Sequence, residues 1–161
     1  MKEVSINSSM KLSPHFTLGE LCKTSYHTVD GNIPSHVVIE NLKRICEGWL
    51  EDLRYSYNAL YGDGGVSHEI PIVISSGYRS EEVNRKCDGA KGSNHLTGCA
   101  VDIHCYGPEQ MIRMAGILLD IADGTKREFD ELILEKRGST YWVHFAVRPD
   151  NNRRKILFDC R

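Results

Sequence analysis

Apolar positions recur along this chain at two different periods, and the change of period divides it into helices and strands. Beyond Pro34, the residues Val38, Leu42, Ile45, Trp49 and Leu53 return every three or four positions, which lays one apolar stripe along a helix. A proline suits the first helical position, whose amide has no intrahelical partner, so Pro34 is expected to open this long helix. Pro108 opens a second one, with Met111, Met114, Ala115, Leu118, Leu119 and Ala122 on its apolar side and Asp123-Gly124 at its end. Two short helices announce themselves by their caps. Thr17 with Glu20 has the spacing of a capping box, predicting a helix to Cys22, and Ser80 caps a turn of helix running to Cys87.

Strands fill the spaces between. Ile72, Val73 and Ile74 make 70–75 a buried strand, 100–103 alternates, and 129–135 with 141–147 form a pair joined through Arg137-Gly138-Ser139 as a hairpin. The stretch 156–158 adds a final edge strand. Polar and glycine-rich stretches at 23–32, at 62–69 and at Asp88-Gly89 read as loops, with 62–69 expected to be a mobile connection. Helices first, then strands interleaved with helices, predict an α+β fold whose mostly antiparallel sheet packs against helices.

Composition narrows the picture. With 161 residues and 40% hydrophobic content, 1–161 is expected to form a single domain with an ordinary core. Twenty Lys and Arg against 22 Asp and Glu leave a net charge of -2, and no tract has the basic density of a nucleic-acid footprint, so no nucleic-acid partner is expected. The densest basic group, Arg148 with Arg153, Arg154 and Lys155, reads as a solvated turn. No run of eighteen apolar residues exists, so no membrane span is expected, and the first ten residues lack the apolar stretch of a secretory signal. Six cysteines fall below the density of a disulfide-stapled miniprotein; Cys46 is expected to be a core thiol on a helix.

The chemistry concentrates in Ser93-Asn94-His95-Leu96-Thr97-Gly98-Cys99-Ala100-Val101-Asp102 and in Trp142-Val143-His144. Two imidazoles and a carboxylate suit a catalytic zinc ion, which keeps three protein ligands and leaves a fourth position for water. Alternation puts Ala100, Asp102 and His104 on one face of their strand and Val101 and Ile103 on the other, so Asp102 can face a metal while its neighbours face a core. In the later strand Trp142, His144 and Ala146 share a face, opposite Tyr141, Val143, Phe145 and Val147. Cys99 adjoins the site either as a soft ligand or as a small apolar side chain. Neither a His-Glu-x-x-His helix nor a paired Cys-x-x-Cys tetrad occurs.

With these motifs on the page the chain resembles a known family: the zinc D-alanyl-D-alanine carboxypeptidases and related peptidoglycan peptidases, including bacteriophage endolysins, whose fold is shared with the Hedgehog signalling domain. The matching pieces are His15-Phe16-Thr17-Leu18-Gly19-Glu20-Leu21, Ile74-Ser75-Ser76-Gly77-Tyr78-Arg79-Ser80, Ser93-x-His95-x-x-Gly98-x-Ala100-x-Asp102, Phe129-Asp130-Glu131-Leu132-Ile133 and Trp142-Val143-His144. The resemblance implies zinc held by His95, Asp102 and His144, and hydrolysis of an amide in a peptidoglycan stem peptide. It makes Arg79, with Ser93 beside it, the holder of the peptide's terminal carboxylate, a role that suits a planar guanidinium fork. Tyr78 is either a packing aromatic or a further substrate contact. Many relatives place an acid three positions before the last histidine ligand, where this chain has Tyr141. Glu135 is the expected substitute as general base and acid, and it shares a strand face with Glu131; His104 is the second candidate, or else a hydrogen-bond partner within the site.

The resemblance thus implies a zinc metallopeptidase, acting as a D,D-carboxypeptidase or as an endopeptidase. The alternative is a catalytically inactive cell-wall or ligand-binding module that retains the fold. A soluble protein acting on the cell wall or periplasmic side is expected, in host wall remodelling or in a phage or prophage lysis cassette. The sequence leaves the oligomeric state open.

Overall fold

The computed structural model describes residues 6–64 and 68–161. A short antiparallel pair, β1 (Lys11–Ser13) and β2 (Phe16–Thr17), leads into α1 (Leu18–Leu21). The capping box is formed as the spacing predicts: Glu20 N donates to Thr17 Oγ1 at 3.3 Å and Thr17 N donates to Glu20 Oε2 at 2.8 Å. The long helix begins later than its proline suggests. It is Ser35, not Pro34, that marks the boundary, its hydroxyl accepting from Val38 N, and α2 runs His36–Ile45.

The stripe Val38, Leu42, Ile45, Trp49 and Leu53 is buried throughout, yet the helix carrying it is not uniform. A π-helical turn, Cys46–Leu50, separates α2 from α3 (Glu51–Tyr61) without breaking the apolar face. Cys46 lies in that turn, fully buried, as a core thiol. Of the expected connection 62–69, residues 65–67 lie outside the described part of the chain; on its far side Glu69 pairs with Arg54 at 2.5 Å.

Then follow β3 (Ile74–Ser76), α4 (Glu81–Lys86), a 3-10 turn (Asn94–Thr97), β4 (Ala100–Cys105), α5 (Pro108–Thr125), β5 (Glu131–Arg137), β6 (Thr140–Ala146) and β7 (Lys155–Cys160). Ser80 caps α4 as expected, accepting from Val83 N at 3.3 Å. Helix α5 does not stop at Asp123-Gly124 but ends on Lys126 in a left-handed conformation. Strand β3 is shorter than the apolar run 70–75, because ladder partners from β4 begin only at Ile74. The hairpin turns at Gly138, whose φ of 60° favours glycine.

Five strands order as β3-β4-β6-β5-β7. Every neighbouring pair is antiparallel except β5 with β7, which is parallel, so the sheet is mostly antiparallel and the fold α+β as expected. Pleating separates two faces. Val101, Ile103, Leu132, Leu134, Val143 and Phe145 are buried on the face turned to the helices, where Trp49 packs edge-on to Phe145 with ring centroids 5.0 Å apart. Asp102 and His144 lie on the other face. That division keeps the polar chemistry out of the core while the same strands supply the core.

Candidate metal centre

Each candidate ligand is set by the backbone beneath it. Asp102 and His144 are direct cross-strand partners in β4 and β6, so their side chains leave the sheet on the same side. His95 comes from the 3-10 turn, which is pressed onto the sheet from two directions. Asn41 of α2 donates to Thr97 O at 2.8 Å, and the strip after β3 brackets the histidine: Arg79 N donates to His95 O at 3.1 Å. Two glycines make this approach possible. A Cβ on Gly77 would sit 2.2 Å from Leu21 O, and Gly98, at φ 71°, would place one 2.7 Å from Val38 O.

The three ligand atoms converge tightly. Asp102 Oδ1 stands 3.2 Å from His95 Nε2 and 3.0 Å from His144 Nδ1, and the two nitrogens are 3.3 Å apart. Tetrahedral zinc with bonds of about 2.0 Å sets its ligand atoms about 3.3 Å from one another, so the triangle has the size the ion requires. Burial is nearly complete, with 2%, 6% and 9% of His95, Asp102 and His144 exposed.

Proton placement makes the same point. His95 Nδ1 lies 2.6 Å from Gly77 O, which can only accept, so Nδ1 carries the proton and Nε2 presents a lone pair inward. Burial depresses the pKa of this imidazole, which favours that neutral form. His144 Nε2 faces Glu131 Oε2 at 3.3 Å, and Asp102 Oδ2 accepts from Arg79 NH2 at 2.6 Å. With both histidines neutral, three lone pairs point at one another in a buried pocket. A cation resolves the conflict, and so does a proton. Burial alone would lower the pKa of His144, but hydrogen bonds to Asp102 and Glu131 outweigh it and push the group up to about 9 in the metal-free protein. Asp102 is held well below the usual carboxylate range, because the two histidines outweigh its desolvation.

The site opens into a cavity of 280 Å³ bordered by Ser93, Asn94, Glu131, Ile133, Glu135 and His144, with Arg153 at its edge. Larger depressions, of 570 and 580 Å³, contain none of the three ligands, so the donor set and not the volume marks this site. Strand register explains the two acids. Ile133 is paired with His144, and Glu131 and Glu135 flank it on the same face, as period-two alternation requires. Glu135 accepts a hydrogen bond from Trp142 Nε1, and burial, aided by the charge of Asp102, raises its pKa above the usual carboxylate range.

Tyr141 occupies the opposite face of β6, partly buried against the core and close to Lys136. An acid three positions before His144 would therefore point away from the ligands in this strand, and the carboxylates that border the cavity, Glu131 and Glu135, come from β5.

Other candidates take clear places. Ser93 lines the cavity, its hydroxyl accepting from His95 N at 3.3 Å as the cap of the 3-10 turn. The Arg79 guanidinium donates through Nε to Ser76 Oγ at 2.9 Å and through NH2 to Asp102, and no hydrogen bond among the described residues links it to Ser93. Tyr78 packs partly buried against the core, its amide donating to Leu21 O at 2.7 Å. His104 lies opposite Trp142, edge-on to Tyr106 at 4.8 Å, and does not line the cavity. Cys99 is buried with its thiol 3.8 Å from Thr97 O and stands outside the ligand triangle, as a small apolar side chain would.

The basic group near the C-terminus is largely exposed, as its composition suggests, yet it is ion-paired. Arg148 and Arg153 both ion-pair with Asp130, which is 0% exposed, and Arg153 also reaches Glu131 Oε1 at 3.0 Å. These contacts, and that of Glu131 with His144, escaped the sequence. Only the Asp130-Glu131 pair at the head of an alternating strand hinted at them.

Comparison with known proteins agrees with the geometry. The family model described as Peptidase M15 matches residues 14–120, about two thirds of the chain. No curated protein matches it. The matched stretch contains His95 and Asp102, and the β4–β6 register brings His144 to them from beyond it. No helix among the described residues is long and apolar enough to cross a membrane. On the family match and the His95, Asp102 and His144 cluster, the chain belongs to the M15 zinc peptidases, the D-alanyl-D-alanine carboxypeptidase family, and is a zinc-dependent peptidase of peptidoglycan-like substrates.

Proposed function

We propose that residues 1–161 act as one zinc peptidase domain that cleaves an amide of a peptidoglycan stem peptide, on the cell-wall or periplasmic side. In this reading His95, Asp102 and His144 hold the zinc and Glu135 moves the proton. The observation that carries it is the buried His-Asp-His triangle, one of whose members, His144, borders a cavity that also holds the half-buried carboxylate of Glu135. Zinc in such a site supplies Lewis acidity and a water of lowered pKa.

The protein's own residues supply the rest. Glu135 takes a proton from the attacking water and returns it to the leaving amine, and a raised pKa suits a group that must do both near neutrality. Glu135 is preferred to His104 because it borders the cavity with His144. Arg79 keeps Asp102 turned toward the histidines through Oδ2, and its remaining NH1 is the donor offered to a substrate carboxylate or carbonyl. Ser93, still with a hydroxyl proton to donate, is the substrate contact on the cavity wall, with Tyr78 at the base of the Arg79 segment. The carboxylates on β5 favour this enzyme over an inactive wall-binding module, since a module that only binds has no use for a half-buried Glu135 in the cavity bordered by His144.

The test joins metal analysis to a panel of stem peptides with and without a free C-terminal D-alanine. One zinc per chain with cleavage of the free-terminus peptides makes the activity a D,D-carboxypeptidase; cleavage of internal bonds makes it an endopeptidase. Bound zinc without cleavage of any stem peptide would overturn the assignment in favour of the binding module.

A further inference from the structure

The outward atom of each ligand has a partner, and the partner of His144 is the least expected. Glu131 Oε2 lies 3.3 Å from His144 Nε2 and also accepts from Asn94 Nδ2 at 3.2 Å. Its other oxygen, Oε1, accepts from Arg153 NH2 at 3.0 Å and pairs with Lys155 at 3.6 Å. Asp130, beside it and fully buried, holds the same two donors: Arg153 Nε and NH2 reach its two oxygens at 2.9 and 2.7 Å, and Asn94 Nδ2 reaches Oδ2 at 2.9 Å. Asn94 is the residue before His95. One pair of acids at the start of β5 therefore ties together the turn that carries one histidine, the strand that carries the other, and the segment between β6 and β7 that carries Arg153.

We propose that Glu131 is the positioning residue of the metal site, fixing His144 with its proton on Nε2 and its lone pair on Nδ1, and that Asn94 and Arg153 hold Glu131 for that task. The argument rests on acceptor chemistry. A carboxylate offers only lone pairs to Nε2, so the proton must sit there and Nδ1 must face the triangle. Without Glu131 the imidazole is free to take the other tautomer, which puts a proton on Nδ1, or to rotate about its χ2, which turns Nδ1 away from Asp102 and His95; either removes the inward lone pair. Arg153 lies outside the stretch matched by the family model, so part of what orients the ligands comes from this chain's own C-terminal segment.

The inference rests on the zinc site being real, and its test separates the two. Zinc affinity is measured by competition with a chromophoric chelator for the wild type, Glu131→Ala and Glu131→Gln, together with the visible spectrum of the cobalt-loaded forms and the circular dichroism of the metal-free ones. Glu131→Ala should bind zinc about ten- to a hundred-fold more weakly, the range for loss of a carboxylate behind a metal-bound histidine, and its cobalt spectrum should change. Glu131→Gln keeps an oxygen for Nε2 and should recover most of that affinity. Equal affinity for wild type and Glu131→Ala, or no recovery in Glu131→Gln, would overturn the positioning role while leaving the zinc site standing. A wild type that binds no zinc would remove both. Should Glu131→Ala not fold, Arg153→Gln gives the same reading, with several-fold weaker zinc binding expected and unchanged affinity counting against the proposal.

Discussion

Asp102 and His144 face each other across β4 and β6, and one oxygen of that carboxylate reaches both histidines, His144 at 3.0 Å and His95 at 3.2 Å. The register that pairs them also pairs Ile103 with Val143 on the opposite face, in the core. Sheet pairing and ligand convergence are thus one structural fact, and disturbing a ligand should not disturb the packing behind it.

His144→Ala tests that separation. Loss of a ligand should weaken zinc binding well beyond the ten- to hundred-fold that an outer partner carries, while Val143 and Phe145 keep the strand in the core. The metal-free variant should unfold cooperatively, about 1–3 kcal/mol less stable than the metal-free wild type, because Asp102 and Glu131 lose a buried partner. Inductively coupled plasma analysis and thermal unfolding read the two effects. Stoichiometric zinc in the variant would remove His144 from the ligand set.

A proton and the metal compete for His144, and the competition has a sign. In the metal-free protein its pKa is raised to about 9 from an ordinary 6.5. The stabilisation this represents is fully present below about pH 6.5 and is lost as pH rises through about 9; a shift of that size corresponds to at most about 3 kcal/mol. Metal-free protein should therefore lose stability between pH 7 and pH 10. Zinc binding must expel the proton, so affinity should rise up to tenfold per pH unit below about 9 and level off above it. Calorimetry in buffers of different ionisation enthalpy counts the released proton, and a count near zero at pH 7 would contradict the raised pKa.

Arg79 holds Asp102 and is proposed to hold a substrate carboxylate, two tasks that one substitution cannot separate. Arg79→Ala removes the partner of Asp102 Oδ2 and any fork offered to substrate, so both zinc affinity and kcat/KM should fall. Arg79→Lys keeps a charge near Asp102 but loses the planar fork, so zinc affinity should stay near the wild type. Its kcat/KM on a peptide with a free C-terminal carboxylate should drop about ten- to a hundred-fold, the equivalent of a charge-assisted hydrogen bond of about 1.5–3 kcal/mol. Unchanged kinetics in Arg79→Lys would confine Arg79 to the metal site.

Much of this was legible because its cause is local. The capping box at Thr17 and Glu20, the Ser80 cap, the start of α5 at Pro108 and the turn at Gly138 each depend on a few adjacent residues. Period-two alternation likewise put Asp102 and His144 on the faces turned away from the core. What stayed hidden depends on distant partners. Nothing within residues 46–50 requires the π-helical turn, and the parallel docking of β7 beside β5 depends on the sheet that receives it. The basic residues Arg148 and Arg153 looked solvated because their partner, Asp130, is buried by folding. Arg79 and Ser93 could be named from a motif, but that Arg79 spends its guanidinium on Asp102 follows from the β3–β4 pairing, which sets Ser76 opposite Asp102.

Glu135 carries the last prediction. It lines the cavity beside His144 and accepts from the indole of Trp142, its cross-strand partner. Glu135→Gln has almost the same shape and cannot take a proton, so zinc content and peptide binding should persist while kcat falls at least about a hundred-fold, the lower bound for a positioned proton-transfer group. Trp142→Phe acts on the same carboxylate from outside. The indole hydrogen bond lowers the pKa of Glu135 against burial, so removing it should raise that pKa and move the acid limb of the kcat/KM profile to higher pH. At a pH well above that limb the Trp142→Phe enzyme should recover most of its rate, whereas Glu135→Gln should stay slow at every pH. Hydrolysis of a D-alanyl-D-alanine stem peptide from pH 5 to 9 distinguishes the two. If Glu135→Gln retains full activity and His104→Gln loses it with zinc still bound, the proton carrier is His104, and Glu135 serves only to hold Trp142.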